Sequence, residues 1–207
     1  MSSLEKRKED MGPGEYEQKA VEAGFVRVCG CDEAGAGPLA GPVYAAAVIL
    51  PPGWDHPYLN DSKHVTEKRR ALLYDLITQQ ARAWSVAWAE VEEIDQINIL
   101  AARMLAMERA IQGLSISPDL ALIDGNRSAG ITAPNQTVVK GDSKSASIAA
   151  ASILAKVSRD RYMVEMDGVY PQYGFAQHKG YPTKLHYERL RQYGPCPIHR
   201  RSFLKKL

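Results

Sequence analysis

Four acids are notable for what comes before them in the chain. Asp32 and Glu33 follow the alternating, mostly apolar run 25–31. Asp124 follows Leu120-Ala121-Leu122-Ile123, and Asp142 follows Thr137-Val138-Val139-Lys140-Gly141. Short apolar runs bounded by turn residues read as strands, so each acid stands at a strand end. Sites in α/β sheets gather at strand ends, and acids meeting there are costly to bury without a cation. Carboxylates with no His or Cys beside them favour a hard divalent ion, Mg²⁺ or Mn²⁺, over zinc. A two-metal site of that kind suits in-line displacement at phosphorus. The plainer alternative is that these acids cap or turn the chain, since Asp-Gly and Gly-Asp are common turn dipeptides.

The elements that must position them begin with 25–50. An alternating segment, the turn Gly35-Ala36-Gly37-Pro38-Leu39-Ala40-Gly41-Pro42 and the apolar run 43–50 read as a hairpin near the middle of a sheet. Successive strand residues point to opposite faces, so Asp32 and Glu33 reach one point only if the strand bends there. The glycine-rich turn is no phosphate loop: no Gly-Lys-Ser/Thr follows, and Pro38 and Pro42 stand where a helix would start.

Further on, the periodicity predicts a helix over 66–81 with Leu72, Leu73, Leu76 and Ile77 on one face, and a strand over 84–91. A second helix closes at Gly113, and a third covers 147–162 with the small run Ala149-Ala150-Ala151-Ser152 for close packing. Another helix spans 183–193, and a short one is expected over 15–23. Strands alternating with helices make the class α/β. Residues 1–22 read as an N-terminal extension, 23–169 as the main domain and 170–207 as a C-terminal segment.

At 207 residues, with 45% apolar and 24% charged residues, the chain can bury a sizeable core. No run approaches a membrane span and the first residues have no apolar signal core, so a cytoplasmic protein is expected. Cys29, Cys31 and Cys196 form no disulfide framework and no C-x-x-C pair; Cys29 and Cys31 share a strand face and read as small core residues. From 176 to 207, eight lysines and arginines face one glutamate, a charge of +7 that leaves −5 for the rest. Such an end could hold a polyanion near an acidic site, or simply be a solvated tail.

Several motifs, in order, resemble one family. Asp32-Glu33-Ala34-Gly35-Ala36-Gly37-Pro38-Leu39-Ala40-Gly41-Pro42 is similar to the signature of ribonuclease HII, with Ala36 where that family carries arginine. Asn60-Asp61-Ser62-Lys63, Asn98-Ile99-Leu100, Ile123-Asp124-Gly125-Asn126, Lys140-Gly141-Asp142-Ser143-Lys144-Ser145, Ser158-Arg159-Asp160, His178-Lys179-Gly180-Tyr181-Pro182-Thr183 and His199-Arg200-Arg201-Ser202-Phe203 match as well. The resemblance implies an RNase H-like mixed five-stranded sheet flanked by helices, with a small C-terminal helical segment. It implies an endonuclease that cuts RNA in RNA–DNA hybrids and on the 5′ side of ribonucleotides embedded in duplex DNA, leaving 3′-hydroxyl and 5′-phosphate ends.

By the same resemblance, Asp32, Glu33, Asp124 and Asp142 are the catalytic, metal-binding carboxylates for Mg²⁺ or Mn²⁺. Asp160 is the competing fourth acid, but it lies within a helical run and the family pattern places the acid in Gly-Asp. Substrate choice needs a sensor of the ribose 2′-OH. Tyr181 takes that place, with the Gly35 to Gly37 backbone at the RNA–DNA junction and Lys63 and Lys179 for phosphate. Alanine offers none of the donors of an arginine fork, so Ala36 implies weaker junction preference, or, as an alternative, a hybrid-binding protein with impaired catalysis. A monomer is expected. Some family members dock a replication clamp by a C-terminal peptide; Ser202-Phe203-Leu204-Lys205-Lys206-Leu207 is too short and generic to assign that role.

Overall fold

A computed structural model describes residues 14–54 and 66–204. After helix α1 (Glu15–Glu22), strand β1 (Val28–Ala34) turns into β2 (Val43–Ile49). Then follow α2 (Glu67–Gln80), β3 (Ala83–Ala89), α3 (Val91–Gln112), β4 (Leu120–Asp124) and β5 (Asn135–Val138). The chain ends with the long α4 (Ala146–Val169), the short α5 (Phe175–His178) and α6 (Lys184–Tyr193). The sheet has five strands in the order β3-β2-β1-β4-β5. β1 runs antiparallel to β2 and parallel to β4, so the sheet is mixed and β1 lies at its centre.

The two faces are covered by different helices. α3 packs Ala102, Met104, Ala106 and Met107 on Cys29, Cys31, Val43, Ala45 and Ala47. α4 and α2 cover the opposite face, with Ala149, Ala150, Ala151, Leu73 and Ile77 against Ala46 and Val48. The two cysteines are fully buried, and burial pushes the Cys29 thiol up to about 12. At Gly30 the approach of α4 is so close that a Cβ would stand 2.1 Å from the Ser147 carbonyl carbon. Alanines on the helix and glycine on the strand are what allow it.

Several expected boundaries move, for local reasons. β1 starts at Val28 rather than 25, because the Asp119 carboxylate takes the Val26 and Arg27 N–H groups at 3.1 and 2.9 Å. β5 ends before Lys140, whose φ of +56° cannot extend a strand. On α2 the buried residues are Leu73 and Ile77, while Leu72 is 64% exposed, so the apolar face is narrower than the pattern suggests. α3 is kinked at Asn98 (φ +67°), whose Oδ1 caps the second half by accepting from Leu100 and Ala101 N–H. α4 runs on to Val169, past the expected end at 162, because Met163 continues its buried face. No helix of the described residues is long and apolar enough to cross a membrane.

Candidate active site

Strand register sets the acids. β1 and β4 pair in parallel up to Cys31 opposite Ile123, so one step further Asp32 comes level with Asp124. β4 in turn pairs with β5 through Asp124 and Val138. After Lys140 the chain tightens into a 3₁₀ turn, Gly141–Ser143, and Gly141 N–H donates to Asp124 Oδ1 at 2.7 Å. That bond sets the buried Asp142, the next residue, beside β4. Two strand ends and the turn that follows β5 therefore meet; Asp142, expected at a strand end, stands in that turn.

The expected bend between Asp32 and Glu33 is absent. β1 pairs with β2 without interruption as far as Ala34 opposite Tyr44, so the two side chains keep opposite faces. Asp32 takes a hydrogen bond from Ser152 of α4 and one from Glu33 N–H at 2.7 Å. Glu33 turns to the α3 side and forms an ion pair with Arg103 Nη2. Both still feel the charge of Asp124. Burial foremost, then Glu33 and Asp124, holds the Asp32 carboxyl well above the usual range. Burial and Asp124 also raise Glu33, with Arg103 pulling the other way.

This donor set suits a hard cation: all oxygen and charged, with Asp32, Glu33 and Asp124 close enough to feel one another. Glu33 Oε2 is buried with no hydrogen-bond partner, an open lone pair facing that need. Among the described residues, no three acidic, His or Cys side chains close into a ready-made metal cage. Glu33 is held by Arg103 and Asp124 by Gly141, so two of the acids are turned to protein donors. Asp160 forms an ion pair with Lys156 Nζ at 2.7 Å on its own helix.

Above the acids, the turn after β1 is gripped from inside by two buried arginines. Arg200 donates to the carbonyls of Gly35 (2.6 Å), Ala36 (3.1 Å) and Gly41 (2.9 Å). Arg159 donates to Ala40 (3.0 Å), Pro42 (3.2 Å) and Lys179 (3.0 Å). With its carbonyls drawn inward, the turn leaves the N–H groups of Ala36 and Gly37 without a backbone acceptor among the described residues. Gly35 has φ +96°, and a Cβ there would stand 2.1 Å from Arg159 Nε, so glycine is required twice over. Burial, and the nearness of Arg159, lowers the Arg200 guanidinium to about 9.

Tyr181 is tied to this turn. Leu39 N–H donates to the Gly180 carbonyl at 2.8 Å, and the ring of Tyr181 lies 5.7 Å from the Arg159 guanidinium and 5.6 Å from Lys156 Nζ. Tyr181 is nonetheless 37% exposed. Its carbonyl is held from below by His186 Nδ1 at 3.0 Å. Lys179 differs from the expectation of a free phosphate contact: its ammonium is turned back to the Ala176 carbonyl. Lys63 lies outside the described residues. Gly37, by contrast, is exposed at the tip of the turn.

Sequence reasoning did not single out Arg103, Ser152, Arg159, Arg200, His186 or His199. Arg159 and Arg200 carried a signal, since both sit inside matched motifs; Arg200 also looked like one more charge of the basic end. Arg103 carried none.

The family model described as Ribonuclease HII matches residues 29–206. Among solved structures, the ribonuclease H2 from Pyrococcus horikoshii OT3 is 27% identical, over 86% of this chain and 93% of that one, with a TM-score of 0.68. The RNase HII in the PCNA:RNase HII complex from Archaeoglobus fulgidus is 24% identical, over 85% and 94%, with a TM-score of 0.71. Bst-RNase HIII in complex with Mn²⁺ shares the fold at 18% identity and a TM-score of 0.61, over 84% of this chain and 65% of that one.

Proposed function

The chain belongs to the ribonuclease HII family, and from that premise we propose that it is a divalent-metal-dependent ribonuclease H that also cuts on the 5′ side of single ribonucleotides in duplex DNA. The observation that carries the reading is the level placement of Asp32 and Asp124 on adjacent parallel strands, with Gly141 fastening the Asp142 turn to Asp124. Asp32, Glu33, Asp124 and Asp142 would hold Mg²⁺ or Mn²⁺, as the Mn²⁺ complex of the RNase HIII relative suggests. When bound, such ions supply charge neutralisation at the phosphate and an activated water.

The remaining roles fall to the chain itself. The Ala36 and Gly37 N–H groups, presented by the Arg200 grip on the Gly35 and Ala36 carbonyls, donate to the nucleic acid at the RNA–DNA junction. Tyr181 packs on the ribose and reads its 2′-OH. The body 23–169 holds the acids and 170–207 supplies the sugar reader. A replication clamp, as in the Archaeoglobus fulgidus complex, belongs to the same reading as a partner.

The test is cleavage of a DNA duplex carrying one ribonucleotide, beside a full RNA–DNA hybrid, with Mg²⁺ or Mn²⁺. The expected outcome is a cut 5′ to the ribonucleotide, abolished by EDTA. Cleavage of the hybrid alone would remove the junction-reading part. Tight binding to both without cleavage would favour a hybrid-binding protein impaired by Ala36.

A further inference from the structure

Arg103 sits in the acid site without completing its own contact. It lies on α3 beyond the Asn98 kink and forms an ion pair with Glu33 through Nη2 and Oε1. Arg103 Nε and Glu33 Oε2 are both buried and both without a hydrogen-bond partner. An arginine–carboxylate pair free to relax closes as a fork with two parallel bonds. Six residues further along the same helix, Arg109 does so with Glu93, at 2.9 and 2.7 Å. Two buried orphan atoms in one ion pair are costly, and they are the atoms a fork would satisfy. The pair is held half-made.

We propose that Arg103 is a positioning residue that competes with the divalent cation for Glu33 and thereby sets the affinity of the site. This rests on the carboxylate site proposed above. Glu33 keeps one oxygen for Arg103 and the other, Oε2, open. A guanidinium that already neutralises part of the carboxylate charge weakens the pull on a second cation through direct repulsion. It also makes the crowded acids tolerable to the folded chain before any cation binds, since Arg103 is the charge that offsets the burial of Glu33.

The experiment is calorimetric titration of the full-length protein with Mn²⁺, and separately Mg²⁺, without nucleic acid. Wild type, Arg103→Gln, Arg103→Lys and Asp124→Asn are compared. Arg103→Gln removes the charge and is expected to bind Mn²⁺ about tenfold more tightly. Arg103→Lys keeps the charge and is expected to stay within about threefold of wild type. Asp124→Asn reports on the carboxylate site and is expected to lose binding. Equal affinity in wild type and Arg103→Gln, or weaker binding in the variant, with Asp124→Asn silent, would overturn the role of Arg103 and leave the carboxylate site standing. Unchanged binding in Asp124→Asn would overturn the site, and this proposal with it. Should Arg103→Gln not fold, Glu33→Gln is titrated beside wild type: the proposal requires Glu33 to be a cation ligand, and no loss of affinity there overturns it.

Discussion

His186 Nε2 lies 3.0 Å from His199 Nε2, an approach that two rings make only when one nitrogen carries a proton and the other is bare. The Tyr181 carbonyl can only accept, so His186 Nδ1 holds its proton and Nε2 is the bare atom. His199 therefore donates from Nε2, and its Nδ1 accepts the Cys196 N–H at 2.9 Å. The result is a neutral relay from Cys196 to the carbonyl of the proposed ribose reader. A proton added to either ring sets donor against donor.

The relay predicts acid sensitivity with a definite sign. Burial pushes both rings down to about 4 from 6.5, with His199 further lowered by His186. The His178 ring stacked on His186, the Cys196 thiol and the Tyr173 ring on His199, and Asp167 near His178 are other titratable groups facing them. Depressed histidines bind protons more readily in the unfolded chain, so their stabilisation is complete above 6.5 and is lost as pH falls towards 4. Each ring contributes up to about 3 kcal/mol. Melting temperature measured from pH 7.5 to 4 should fall through that window, and His199→Gln should flatten the fall. An equal slope in wild type and variant would remove the relay from the account.

Arg200 should matter to recognition more than to chemistry. Arg200→Lys keeps a cation but cannot serve three carbonyls in fixed directions. The turn would loosen at Gly35 and Ala36, and KM for a single-ribonucleotide duplex should rise about tenfold with kcat changed less, a loss near 1.4 kcal/mol. Arg200→Ala strands three buried carbonyls and should cost about 3–5 kcal/mol in a urea melt. A purely structural Arg200 would lower stability in both variants and leave the KM of Arg200→Lys alone.

Much of this architecture is legible in residue types. Short apolar runs ending in acids mark the central strands, and Gly30 with the alanine run of α4 foretells how closely helix and sheet meet. That Asp32 and Asp124 meet is readable because strand ends are where such sheets place their sites. What the chain does not reveal is long-range and polar. Arg200 meets Gly35 across 165 positions, and no local pattern distinguishes its buried guanidinium from Arg201 beside it. The histidine relay likewise joins α6 to the loop before the final turn, through side chains that periodicity ignores. The bend expected at Asp32 fails because opposite-facing acids can share a strand end without one: Asp124 comes level with it from the neighbouring strand.

Asp32→Asn should stabilise the protein while abolishing cleavage. A carboxyl held well above its usual range favours the neutral form in the fold, so its ionisation destabilises the native state at pH 7. Replacing it with a neutral amide removes that cost, and melting temperature without metal should rise by about 2–4 °C, near 1 kcal/mol. Saturating Mg²⁺ or Mn²⁺ should raise the wild-type value by a similar or larger amount, about 2.7 kcal/mol at a hundredfold excess over Kd, and leave the variant nearly unmoved. A variant that melts lower than wild type, or still responds fully to the ion, would contradict the proposed role of Asp32.

Ala36 offers the last test. Its carbonyl is fixed inward by Arg200 at 3.1 Å, so a side chain at position 36 changes what the turn presents without disturbing how it is held. φ at this residue is not in the left-handed region, and the residue is partly exposed, so a long side chain can be accommodated. Ala36→Arg adds a five-donor fork beside the N–H groups proposed to meet the junction. It should raise kcat/KM on the single-ribonucleotide duplex about tenfold, roughly 1.4 kcal/mol, with a smaller gain on a continuous hybrid. The two substrates separate specific junction contact from added charge, because a merely electrostatic arginine would help both alike and lose its effect in salt. Identical kcat/KM for the two proteins on the single-ribonucleotide duplex would show that the backbone donors of the turn suffice, and that alanine costs this enzyme nothing at the junction.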